Sequence, residues 1–278
     1  MKKAGSACGK AILSGEYAVV FGYPGIATPV NLGIDVEWGE KTSGGINMEL
    51  DEHSERDGMR FYVEKILDSL GKHHGTLNIR SSIPIGRGMG SSTALVIAIT
   101  RSILGEGCKA EALKIEDTVN PGHSGLDFAV IWSGKPVLFR KGTAPQQIQI
   151  KGDLLKGACL IDTGKPNEAT PELVAWVKSR AEELDAPIKM IGNCTERLIA
   201  GEDFRLIVHD HHKAQVQLGV VPENAQRLIE AIEKEGGSAK VLGAGGRTGG
   251  GGMVLALGIG AEVLEKIAAS HRMPFFPL

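Results

Sequence analysis

Four stretches of this 278-residue chain gather residues that could do chemistry. Pro84 to Leu95 reads PIGRGMGSSTAL: three glycines at alternate positions, two serines and then an apolar run. Glycine lets the backbone turn sharply so that successive N–H groups converge, and a helix starting at the serines adds the positive end of its dipole. The guest such a turn suits is an anion, phosphate above all. The loop matches neither of two common phosphate signatures. A dinucleotide fingerprint, G-x-G-x-x-G, needs a glycine where Ser91 stands, and a Walker loop needs a lysine, but no lysine occurs between Lys72 and Lys109. On these residues alone, a phosphate cradle and a tight strand-to-helix turn that binds nothing are level readings.

The second stretch, SACGKAILSGEYAVVFGYPGIATPV from Ser6 to Val30, has Lys10 after a glycine and Glu16 six residues on. The third, EDTVNPGHSGLDFAV, sets Asp127 in a Ser-Gly-x-Asp turn eleven residues after Glu116. In the fourth, seven of the ten residues from Gly243 to Gly252 are glycine. Each has an ordinary reading when taken singly: Asp127 as a turn residue capping amides, Lys10 as a surface lysine, and Thr170, ahead of Pro171, as a helix N-cap. The run HDHHK puts His209 and His212 on one helix face, but with no further ligand in view it reads as a solvated face.

The elements that must position these residues follow from periodicity. Val30–Trp38 alternates apolar and polar, Ile46–Leu50 repeats the pattern, and the two are expected to form an antiparallel pair. Arg60–Leu70 reads as a helix, Thr76–Pro84 as a strand entering the glycine loop, and Ser91–Leu104 as a helix apolar nearly all round, hence internal. Further on, GACLIDTG reads as a strand and Pro171–Leu184, Ile188–Ala200, Asp203–Leu218 and Pro222–Glu235 as helices. SAKV and MVLALG form strands on either side of the second glycine loop. Antiparallel pairs in both halves argue α+β, with a seam near residue 150.

Composition narrows the function. Lys plus Arg is 31 against 33 Asp plus Glu, a formal charge of -2, which gives no drive toward nucleic acid or an anionic membrane. No apolar run approaches the roughly 18 residues of a membrane span. Cys8, Cys108, Cys159 and Cys194 are scattered with no C-x-x-C pair and read as reduced thiols of a cytoplasmic protein.

The motifs in this order resemble the GHMP kinase superfamily of ATP-dependent small-molecule kinases. PIGRGMGSSTA is similar to its phosphate loop, P-x-x-x-G-L-G-S-S-A, and KVLGAGG to its carboxy-terminal glycine motif. Within the superfamily, GKAILSGEYAVVFGYPGIA, HSGLDFAV, DTGKPNEATPELVAWV and HHKAQVQLGVVPENAQRLIEAI are most similar to the mevalonate kinase family. The resemblance implies a two-lobed α+β fold: a mixed amino-terminal domain, 1–150, with the ATP loop and a catalytic Asp, and a ferredoxin-like carboxy-terminal domain, 151–278. The active site would lie between them.

It also implies a cytoplasmic enzyme that uses ATP and magnesium to phosphorylate the 5-hydroxyl of mevalonate or a related hydroxy acid, and it leaves a homodimer open. Phosphomevalonate kinase or another member of the superfamily, kinase or decarboxylase, is the alternative, with a non-catalytic ligand sensor further off. Carried over by position, Asp127 would accept or orient the proton of the acceptor hydroxyl, and Lys10 would keep it ionised and stabilise the transferring phosphoryl group. Gly86, Gly88, Met89, Gly90, Ser91, Ser92 and Thr93 would hold the nucleotide, and Ser91 or Ser92 with Glu116 the magnesium. Lys10, Glu16, Tyr17, Asp127, Thr170, Gly243, Ala244 and Gly245 would contact the acceptor. Three departures stand out: Tyr17 replaces a usual His, the stretch from Thr93 to Asp127 is short, and the second glycine loop carries about four extra residues around Arg247, an arginine that either reaches a phosphate or rides a mobile loop.

Overall fold

The computed structural model describes residues 3–40, 44–50, 56–150 and 154–278. Its packing divides into two compact units, one of residues up to Lys10 with Pro29–Lys135, the other of Ala11–Thr28 with Pro136–Leu278. The division is therefore not a single cut at 150. Strands β1 (Lys3–Ser14) and β2 (Gly25–Gly39) each run from one unit into the other, and so carry 11–28 into the second.

In the first unit β3 (Ile46–Leu50) and helix α1 (Arg56–Ser69) precede β4 (Gly75–Ser81). β4 lies between β2 and β3, antiparallel to β2 from Ile34↔Ser81 to Gly39↔Thr76 and parallel to β3 from Ile46↔Gly75 to Leu50↔Ile79. This corrects the expected antiparallel pairing of 30–38 with 46–50. The helix after β3 carries the chain back along the sheet, and a strand that returns through a helical crossover runs parallel to the one it left.

Helices α2 (Ser91–Leu104), α3 (Lys109–Val119) and α4 (Leu126–Ser133) complete the unit. α2 is its internal helix: Ala94 through Ile99 are fully buried, with α1, α3 and α4 packed against it. β1 crosses α2 so closely that a Cβ on Gly5 would lie 2.3 Å from the Ala98 carbonyl oxygen, a contact open only to glycine.

In the second unit the first residues of β2 pair with β5 (Val137–Phe139), which pairs with β6 (Gln146–Gln147). A separate antiparallel sheet follows, built from β7 (Cys159–Asp162), β8 (Ser238–Val241), β9 (Met253–Leu257) and β10 (Phe275–Pro277) in the order β10-β7-β9-β8. By sequence rank that order is 4-1-3-2, the ferredoxin-like arrangement.

Helices α5 (Thr170–Ser179), α6 (Asp185–Ile199), α7 (Phe204–Gln217) and α8 (Glu223–Lys234) lie between β7 and β8, and α9 (Ala261–Ser270) between β9 and β10. One core joins Ile161, Val241 and Val254 of the sheet to Leu228 and Ile232 of α8 and Leu264 of α9. The expected helix 171–184 ends earlier, at Ser179, and the chain turns before α6. Leu184 still packs in one core with Leu173 and Val177, which is why the periodicity ran on.

Candidate active site

In the first unit the chain leaves β4 through a turn in which Gly86, Gly88 and Gly90 all have positive φ, 69°, 83° and 76°. Gly90 caps α2, so the N–H groups of Ser91, Ser92 and Thr93 form the open first turn of a 14-residue helix, where donors and dipole both favour an anion. Ser91 is buried and its Oγ accepts a hydrogen bond from the Gly86 N–H at 3.2 Å, closing the loop on itself, while Ser92 is half-buried.

Lys10 is built into the same turn. Its N–H donates to the Met89 carbonyl at 3.0 Å, and its side chain passes so close to Gly90 that a Cβ there would lie 3.1 Å from Lys10 Cγ and 2.8 Å from Ile131 Cδ1. Beyond Gly90 the Lys10 ammonium meets Asp127 Oδ1 at 3.2 Å. The lysine side chain is 3% exposed and the aspartate 34%, so one face of the carboxylate holds the cation and the other is open. Asp127 stands in the first turn of α4 after the left-handed Gly125, and the helix dipole favours its charge.

We expect Gly90→Ala to weaken ADP binding at least about tenfold and to destabilise the fold by about 1–3 kcal/mol, through strain at positive φ and the clash with Lys10. Titration calorimetry and thermal melting read the two effects.

Glu116, on α3, is buried, and its Oε1 accepts from Thr93 Oγ1 at 2.7 Å. Its other oxygen is buried with no hydrogen bond. Burial raises the pKa of this carboxyl, with the side chains of Thr93 and Asn120 and the nearby His123 pulling the other way and Asp127 adding to the rise. An unsatisfied carboxylate oxygen beside a phosphate-type loop suits a hard divalent cation, and with the Ser92 hydroxyl this donor set fits magnesium.

The second unit holds the remaining predicted residues. Glu16 is 3% exposed and faces two partners: Lys240 Nζ bonds its Oε1, and His211 Nε2 lies 2.9 Å from its Oε2. Burial works to raise the Glu16 pKa, but the Lys240 charge, with His211 beside it, outweighs burial and lowers it to about 2. As placed, Glu16 holds Lys240. Lys240 is itself fully buried and also donates to the Ile12 carbonyl at 3.0 Å. His211 has its pKa lowered, first by burial and then by Lys240, which favours a neutral ring, and its Nε2 accepts a hydrogen bond from the Gly15 N–H at 3.4 Å.

Neither Lys240 nor His211 stood out in the sequence, and the HDHHK run is not a solvated face. His211 and His212 are buried, and His209 Nδ1 lies 2.7 Å from Glu233 Oε1. The signal was burial at i, i+3, i+4 on an otherwise polar helix.

Burial lowers the His212 pKa to about 4 from 6.5. A base depressed in the folded state gives stability that is full above pH 6.5 and is lost as pH falls toward 4, since the unfolded chain takes up the proton first. Unfolding free energies from urea titrations at pH 7 and 4.5 should therefore differ by about 1–3 kcal/mol more in the native protein than in His212→Asn.

Tyr17 is buried, its hydroxyl donates to the Ala244 carbonyl, and burial raises its pKa, with Glu16 and Glu168 adding to the rise. Two of the predicted acceptor residues are thus in contact. Gly243 and Gly245 have φ of 73° and 67°, and a Cβ on Gly245 would lie 2.1 Å from the Val220 carbonyl oxygen. Thr170 is the exposed first residue of α5, and the cap position falls to Ala169, whose N–H donates to Glu172 at 2.9 Å.

The extra residues of the second glycine loop are anchored. Glu168 accepts from the N–H groups of Arg247 and Thr248 at 3.1 and 3.3 Å and from the Thr248 hydroxyl at 2.7 Å. The Arg247 guanidinium lies 4.4 Å from the centre of the Trp176 ring.

Residues 60–134 match the family model for the GHMP kinases N terminal domain. A mevalonate kinase of Pyrococcus horikoshii is 28% identical over 318 residues, covering 97% of this chain and 93% of that one. The chain is thus similar to GHMP kinases along nearly its whole length. Among solved structures, Methanococcus jannaschii mevalonate kinase superposes on this chain with a TM-score of 0.76 at 22% identity, covering 99% of this chain and 96% of that one. A mevalonate kinase from Staphylococcus aureus MRSA252 gives 0.71 at 25% identity, covering 100% and 99%. The fold is that of the family from end to end. Among the described residues no helix is long and apolar enough to cross a membrane.

Proposed function

We propose that the protein is a mevalonate kinase, moving the γ-phosphoryl group of ATP to the 5-hydroxyl of mevalonate in isoprenoid biosynthesis. The observation that carries the reaction type is the Lys10–Asp127 pair at 3.2 Å against the helix-capping Gly90. It sets a cation and a carboxylate at the mouth of an anion-binding turn. The acceptor is supported by the full-length similarity to proteins named mevalonate kinase in several archaea.

In this reading the first-turn amides of α2 and the positive-φ glycines hold the triphosphate. The open face of Asp127 takes a hydrogen bond from the acceptor hydroxyl, orients its oxygen toward the γ-phosphorus and receives the proton as the new P–O bond forms. Lys10 balances negative charge on the transferring group, and ADP leaves as the bond to its β-phosphate oxygen breaks. Ser92 and Glu116 would hold magnesium, which neutralises phosphate charge when bound.

The deciding experiment measures ADP release from magnesium and ATP with mevalonate, phosphomevalonate, homoserine and galactose. Turnover with mevalonate is expected. Turnover with phosphomevalonate alone would overturn the acceptor, and turnover with none of the four the kinase reading.

A further inference from the structure

Two buried polar atoms near Asp127 lack hydrogen bonds, and they are complementary: Glu116 Oε2, an acceptor, and Asn120 Nδ2, a donor. They sit four residues apart at the end of α3, where successive turns of a helix stack. Asn120 is fixed there as the helix cap, its N–H donating to the Glu116 carbonyl at 2.8 Å and its carbonyl accepting from the His123 N–H at 3.2 Å. Neither side-chain atom has a hydrogen-bond partner there. Buried donors and acceptors left unmatched cost about 1–3 kcal/mol each, so a pair of them side by side marks the place of a small polar guest.

We propose that Asn120 is a positioning residue for the divalent cation, donating from Nδ2 to a water of the cation's hydration shell while Glu116 Oε2 takes the cation itself. Magnesium keeps several of its waters when protein-bound, and a nitrogen donor cannot ligate a cation directly, so an amide N–H beside a ligating carboxylate belongs to that water. Thr93 completes the arrangement by fixing the other carboxylate oxygen at 2.7 Å. Asn120 thereby links α3 to the first turn of α2 through the bound ion. The inference rests on the cation site of the proposed function.

Mn2+ affinity in the presence of ADP, followed by electron paramagnetic resonance without any acceptor, tests it. Wild-type protein should bind, and Asn120→Ala should bind about tenfold more weakly, the loss typical of a residue that orients a metal's ligands. Asn120→Asp, which removes the donor and keeps the shape, should be impaired as well. A melting curve for each variant separates weakened binding from unfolding. Wild-type affinity in a folded Asn120→Ala overturns the proposal. Tighter binding by Asn120→Asp overturns the donor role in favour of direct ligation. Failure of wild-type protein to bind Mn2+ with ADP would instead overturn the cation site, leaving Asn120 with nothing to position.

Discussion

Asp127→Asn is expected to lower kcat by about two to four orders of magnitude, the range a positioned general base contributes. The substitution keeps size and a hydrogen-bond acceptor for Lys10 but removes the charge, so the acceptor hydroxyl loses the group that takes its proton. ADP affinity should change little, because the nucleotide contacts assigned here come from the glycine turn and the first turn of α2. The split between kcat and nucleotide affinity is the diagnostic. Wild-type turnover in Asp127→Asn would remove Asp127 from the chemistry, and a comparable loss of ADP binding would point to a collapsed loop. Lys10 is the reason to measure folding in parallel, since its ammonium is 3% exposed and Asp127 is its ion-pair partner.

The second large effect is on stability. Lys240→Met should destabilise the protein by about 3–5 kcal/mol, because it leaves the buried Glu16 carboxylate without its cation. Glu16 sits beside Tyr17, which has φ 62° and ψ −50°, a conformation that strains a residue with a side chain. The turn is held from several sides: Lys240 and His211 on Glu16, and the Ala244 carbonyl on the Tyr17 hydroxyl. Removing the cation therefore breaks an ion pair and frees a strained turn together. The double variant Glu16→Gln, Lys240→Met should recover part of the loss, since a neutral pair no longer buries an unmatched charge. Denaturant midpoints read both. A single-variant loss below about 1 kcal/mol would show that the pair is worth no more than a surface ion pair.

Much of the fold was legible because it is written locally. The span expected for α2, Ser91 to Leu104, is the span observed, since a stretch apolar nearly all round and bounded by Gly90 and Gly105 leaves little choice. The alternation in β2 and β3 placed those strands too, but not their partner. That β4 inserts between them depends on a crossover helix, and no pattern within either strand encodes it. The glycine turn, Lys10 and Asp127 stood out as residue types in unusual settings, and the structure brings them together. Glu16 stood out as well, yet its partners did not. Lys240 lies in SAKV, where alternation reads a lysine as solvent-facing, and only an acid 224 residues away explains why it is buried. Arg247 read as an arginine that either reaches a phosphate or rides a mobile loop. The loop is fixed by Glu168, a carboxylate whose role depends on backbone geometry that sequence does not display.

That 224-residue separation also constrains how the chain is made. The second unit is assembled from residues 11–28 and from everything after 135, with residues 29–135 of the first unit spliced between. On the ribosome Ala11–Thr28 emerge early and wait while the first unit is synthesised. Glu16 meets its cation only once residue 240 has cleared the exit tunnel. Contacts of such long range are slow to form and leave apolar strand exposed in the meantime. The ion pair that holds the Glu16 turn is therefore among the last contacts the growing chain can make.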